Sequence, residues 1–437
     1  MFVAALISIF LQSQIPAASA NVTKKEVPQV VHPTIGQTLK TKELQVTFVN
    51  RKSWYSGTPK AYLDKDIRSP KSVNIHPDQS KYYVNSLEGS KTVVYDLQTG
   101  EKLKVITHQF DEQHKALWAP ESGLFNFTYA RTNQNHFIGK PVESTFSHNG
   151  RYLWVPYYRR NYDINAQDPS AMAVIDTQKD TIIRLFETGP LPKMVAVSAD
   201  QTRLAVSHWG NNTVGILDIS SDNPEDWKYL SKVIVENELK LNFSRTEKVD
   251  RDKNSGFCLR GTVFTPDGRY LLVGCMGSGG GIAVIDLDNN KYLGRIMGTK
   301  PSLRHLLIKN GYLYASINAS GYVQRIPLEK IISGIQSLDG KTSLKVTLND
   351  WISCKVPAGA RTIEMTPDGK YIFAACNFSS ALAVVDAETM KLIGTISADS
   401  FPVGLDVSKD GRYVLTTSQG RDGVGGNSVN IFEIKYL

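Results

Sequence analysis

Apolar and polar residues alternate in short runs along most of this chain, the period of two that a half-buried strand requires. SVNIH at 72–76, STFSH at 144–148, MVAVS at 194–198 and GLDVS at 404–408 are such runs, and a turn sequence follows each. The turns are HPDQ at 76–79, SHNG at 147–150, SADQ at 198–201, TPDG at 265–268, KNG at 309–311, TPDG at 366–369 and SKDG at 408–411. Pro suits the second turn position, Asp supplies a local side-chain hydrogen bond, and Gly takes left-handed backbone. A second apolar run follows the turn, among them YYVNS, YLWVPY, LAVSHW and YVLTTS. A third comes next (TVVYD, MAVID, VGILD, IAVID, YVQRI, LAVVD, VNIFE). A fourth closes most units: KLKVI, IIRLF, SKVIV, GRIM, LKVTL and LIGTI.

Seven such units, six of them with four antiparallel strands, predict an all-β fold, a seven-bladed β-propeller. The seventh unit ends after its third strand at Leu437, while LQVTFV at 44–49 stands alone ahead of the first. That lone strand is expected to complete the last blade and close the ring, which removes the open sheet edge. The expected organisation is an export signal at 1–20, an extension at 21–43 and the propeller at 44–437, with insertions at 107–138, 236–257 and 349–358.

FTPDGRYLLVGCMGSGGGIAVIDLDNNKYLGRI and MTPDGKYIFAACNFSSALAVVDAETMKLIGTI resemble the YVTN-type propeller repeat. Pro70, Pro141, Pro192 and Pro402 match the proline expected before a first strand, whereas Gln79 and Gln201 replace the turn glycine. The resemblance implies the fold and a range of activities. Its members include secreted, surface-layer-like binding proteins and sequences similar to lactonases and to haem- or quinone-linked dehydrogenase propellers.

The apolar run FVAALISIFL at 2–11 is too short to span a bilayer and precedes Ala18-Ser19-Ala20, a small-x-small pattern for cleavage after Ala20. It predicts an exported protein, periplasmic, extracellular or at the cell surface. No other stretch is apolar enough to suggest a membrane span. The four cysteines, Cys258, Cys275, Cys354 and Cys376, lack CxxC and CxxCH spacing, which argues against a zinc ribbon, a thioredoxin-like site and covalent haem. In an exported chain, two local disulfides are expected, 258–275 and 354–376.

Fifty basic residues against 42 acidic give a net charge of +8, spread too thinly over 437 residues to point to nucleic acid. The charge is nonetheless placed by the repeat. Seven positions before the turn Asp or Asn stand Lys71, Val142, Lys193, Arg260, Arg361 and Val403, with Arg304 in the shorter fifth unit. Five of these seven slots are basic, although only about one residue in nine is Lys or Arg. All lie at the start of the innermost strand, around one mouth of the ring, with Glu143 and Asp406 as candidate neutralisers.

Eight positions past the turn, Ser86, Tyr157, His208, Cys275, Cys376 and Ser418 are expected to form a second ring at that mouth, with Trp209, Asn377 and His305 nearby. Arg binds carboxylate or phosphate through two parallel bonds and Lys acts as a point charge. The expected partner is therefore an acidic small molecule, glycan or protein segment; the alternatives are a lactonase-like hydrolase and a redox propeller. No cofactor or metal is predicted. HQFDEQH at 108–114 (His108, Asp111, Glu112, His114) reads as a polar loop, and neither GxSxG, HExxH nor a P-loop occurs.

Overall fold

The computed structural model describes residues 30–127, 134–420 and 425–437; the expected export signal at 1–20 lies outside them. The chain is all-β, with seven sheets of four or more strands, antiparallel but for one added outer strand, in a closed ring. Blade 1 shows the plan: Pro70–Ile75 is innermost, followed outward by Lys81–Ser86, Lys91–Asp96 and Lys102–Thr107. The innermost strands of neighbouring blades pack side by side around the axis. A buried apolar layer fills each gap between blades, including that between the last and the first.

Closure follows the expectation and extends it. Leu44–Ser53, longer than the six residues expected, pairs antiparallel with Ser428–Tyr436 as the fourth strand of blade 7. Thr38–Lys40 adds a fifth strand outside it. Val46 and Phe48 are fully buried, and Phe48 stacks on Phe432 with ring centroids 5.0 Å apart.

The fourth strand of blade 5 is not LKVTL. Lys345–Thr347 pairs in parallel with Lys291–Met297 and so extends blade 4, while Ile352–Lys355, inside the expected insertion 349–358, completes blade 5. The helix Leu328–Ile335 explains the detour. Its Ile331 and Ile335 are buried in the layer between blades 4 and 5, with Val346, Leu348 and Trp351 against them.

The cysteines also depart from expectation: all four are free and buried. Across the blade 4 hairpin, Cys275 lies opposite Leu259 and not opposite Cys258. Cys258 has left-handed backbone (φ 51°) and packs among Ala166, Leu191 and Trp209, apart from the layer that holds Cys275. Cys354 and Cys376 share one apolar layer without a bond between them. Among the described residues no helix is long and apolar enough to cross a membrane.

Candidate functional site

The basic slot coincides with a repeated irregularity of the backbone. In blades 1, 3, 4, 5, 6 and 7 the pairing of the first two strands shifts register just after the strand begins, at Pro70/Ser72, Pro192/Met194, Leu259/Thr262, Leu303/His305, Ala360/Ile363 and Pro402/Gly404. Lys71, Lys193, Arg260, Arg304, Arg361 and Val403 fall inside those shifts. A bulge inserts an unpaired residue and re-aims its side chain. The residue two positions earlier is left-handed in each case: Ser69, Leu191, Cys258, Ser302, Gly359 and Phe401. Apart from Gly359 these carry side chains, a conformation that costs about 1–2 kcal/mol each. Six blades thus hold the same strained turn before the slot.

The turn brings the five cations together. The Trp209 ring, only 2% exposed, has Lys193 Nζ at 5.3 Å, the Arg260 guanidinium at 5.8 Å and that of Arg304 at 5.9 Å from its centroid. Lys193 also lies 4.3 Å from the Tyr158 ring. Burial holds the Lys71 amine well below the usual lysine range, and repulsion from Arg361, Arg260 and Lys193 adds to it while Glu143 opposes. Lys193 is lowered in the same way, by burial and then by Arg260, Arg304 and Arg361, against Asp252. Arg304 and Arg361 are lowered by burial and by their neighbours in the ring. A guanidinium stays protonated in proteins, so the two lysines are the groups that can give up a proton.

Neutralisation is partial. Arg260 Nη2 donates to Glu143 Oε1 at 3.1 Å, and among the described residues this is the one ion pair that the five cations make. Asp252 acts on four of the cations from a distance. It rides on the 236–257 insertion, which Arg251 ties down by donating to the carbonyls of Ala166 and Gly210 at 2.7 Å each. Asn165 fastens the same insertion through Ser244 O, Glu247 O and Val249 N. No slot rule could find Asp252, because it lies outside the repeat. Asp406, expected beside the cations, instead sits at the far end of the channel near Glu364 and receives backbone bonds from Ile75 and Val407.

The expected second ring does not line the mouth. Ser86, Tyr157, His208, Cys275, Cys376 and Ser418 are all fully buried between strands. His208 receives the Gly189 N–H on Nε2 and pairs with Thr213 Oγ1 through Nδ1, and burial pushes it down to about 3. The Tyr157 hydroxyl meets His108 Nδ1 at 3.0 Å, with Thr92 on the other ring nitrogen. His108 therefore turns inward, while Asp111 and His114 bond each other at 2.8 Å as a helical cap, so the 108–114 loop brings no ligand set together. Asn377 is buried and accepts from Asn318 Nδ2. His305 does reach the channel: it feels Glu143 and Arg260, burial lowers it to about 4, and its buried Nδ1 has no partner among the described residues. Trp209 and His305 thus join the five cations, and His208, Tyr157 and Asn377 do not.

No protein-family model matches the chain. Hydrazine synthase subunit beta of Kuenenia stuttgartiensis is 26% identical over 252 residues, 49% of this chain and 59% of that protein. The chain thus spans about three-fifths of the length of that curated relative. Among solved structures, hydrazine synthase from Kuenenia stuttgartiensis superposes with a TM-score of 0.57 at 14% identity, covering 84% of this chain and 96% of that one. The β-propeller domain of Cps50 (Swd1) from Myceliophteria thermophila gives 0.55 at 11%, covering 84% and 97%. At these identities the structural likeness establishes the propeller alone.

Proposed function

We propose that this protein is an exported, YVTN-like propeller scaffold whose cationic mouth captures an acidic ligand. The observation that carries this reading is the convergence of five cations on the bulges with a single carboxylate in contact. Like charges repel, and a fold that gathers them under strain has a use for a bound counter-charge. Tyr158, partly exposed, offers an aromatic face beside the Lys193 amine, and the buried Trp209 ring backs the cations. Replacing Lys193 and Arg304 together by Met keeps side-chain bulk and leaves the Arg260–Glu143 pair intact. The double variant, with two of the five repelling charges removed, is expected to melt no lower than the wild type and to lose affinity for acidic sugars and acidic peptides in a binding screen; unchanged affinity would falsify the mouth as the site. Export is tested by sequencing the N-terminus of protein recovered outside the cytoplasm, with Asn21 expected first.

The resemblance to a named subunit supports a second reading, a propeller that works within a larger enzyme assembly. Co-purification with a stable partner from the native source supports it, and a lone chain does not. A lactonase-like reaction has less behind it, since His208 is buried with both ring nitrogens engaged.

A further inference from the structure

The donors at the mouth are not only crowded but unmet. Among the described residues, Arg260 Nε and Nη1, Arg304 Nε and Arg361 Nε are buried with no acceptor. Glu143 takes a single corner of the Arg260 guanidinium and leaves the rest of the fork free. A buried charged donor without a partner is costly, more so than a neutral one. Four such atoms on three converging guanidiniums call for an acceptor with several oxygens.

Depth limits its size. Arg260 is 2%, Arg361 5% and Lys71 6% exposed, so these groups are out of reach of a chain lying across the surface. Resting on the reading of the mouth as an anion site, we infer that its occupant is a compact oxyanion, a phosphate or sulfate group enclosed among Arg260, Arg304 and Arg361, with Lys71 and Lys193 completing the charge. Such a group offers three or four oxygens to several guanidinium edges at once, where a single carboxylate offers two. The same chemistry is met by a free ion or by a phosphate or sulfate ester whose remaining part lies toward the partly exposed Tyr158 ring beside Lys193.

Two measurements test this. In calorimetry at constant ionic strength, inorganic phosphate and sulfate are expected to saturate at one per chain and to compete with each other. Poly-glutamate is expected not to displace them, and an aryl sulfate that competes identifies the ester source. Lys71→Met is then expected to weaken phosphate binding at least about tenfold and to raise the melting temperature of the anion-free protein, because one of five repelling charges is gone. A merely structural lysine would not produce opposite signs. Binding of poly-glutamate without any binding of phosphate or sulfate overturns the enclosed oxyanion and leaves the mouth standing; no binding of any of them removes both. Should Lys71→Met fail to fold, Arg304→Met takes its place, and the wild-type titration decides regardless.

Discussion

At the scale of single residues, the turns show how the repeat tolerates departures. Gln79 and Gln201 hold the left-handed place that Gly fills in TPDG, each at φ 63°. They differ in what the side chain recovers. Gln79 Oε1 accepts the Asp410 N–H at 3.0 Å and so ties blade 1 to blade 7, whereas Gln201 Nε2 reaches only Ser198 O of its own turn, at 3.4 Å. Gln201→Gly is therefore expected to stabilise by about 0.5–1 kcal/mol, and Gln79→Gly to be neutral or destabilising; chemical denaturation of both variants compares them. Asp406 permits a second residue-level prediction. Burial, with Glu364 adding repulsion, raises its carboxyl to about 8. The unfolded chain ionises near the ordinary value, so the folded protein holds the extra proton between about pH 4 and 8. Asp406 thus contributes stability at low pH that is lost as pH rises through that window. The stability of the wild type relative to Asp406→Asn is expected to fall by a few kcal/mol, on the order of several times 1.4, from pH 4 to 8. A flat difference across that range would place the carboxyl in water.

At the scale of elements, the repeated turn made the seven blades legible, because each turn sits between two runs with a period of two. The closing strand was legible for a related reason, an unpaired strand at one end and a missing one at the other. Leu44–Ser53 carries that closure, so Phe48→Ala is expected to cost about 3–5 kcal/mol, and deletion of residues 30–53 to uncover the edge of Ser428–Tyr436 and leave a protein that aggregates. Differential scanning calorimetry with light scattering reads both. What the pattern hid was tertiary. LKVTL is as strand-like as any fourth strand, and only the packing of Ile331 and Ile335 against blades 4 and 5 sends it to the neighbouring sheet. The strand-end ring failed because alternation at Tyr157 and His208 points those side chains between blades, while the bulges, which the spacing carried without announcing, turn Lys71 and its equivalents inward. The cysteines were read from compartment and spacing, and neither fixes which way a side chain points at a left-handed residue such as Cys258.

At the scale of the whole molecule, the channel has unlike ends. The cations occupy one, and three residues further along the same innermost strands Asn74, Thr145, Glu364 and Asp406 line a cavity of about 350 Å³ at the other. The cationic end sets a linkage between anion and proton. Lys71 faces Arg361, Arg260, Lys193 and Glu143, and Lys193 faces Arg260, Arg304, Arg361 and Asp252. Both amines are held below their unfolded values, so the unfolded chain binds more protons in the alkaline range, and the anion-free protein gains stability as pH rises through the folded values toward about 10.4. An anion reverses the balance, because its charge favours the ammonium form. Binding above the depressed values must then draw protons from solution, up to one per lysine, and affinity must fall as pH rises. Calorimetric titration with sulfate in two buffers of different ionisation heat is expected to show proton uptake in the wild type and less in Lys71→Met. Equal heats in both buffers at every pH from 6 to 10 would mean that the lysines do not change protonation when the anion binds, and the ring would then be a set of permanently charged groups held apart by the fold.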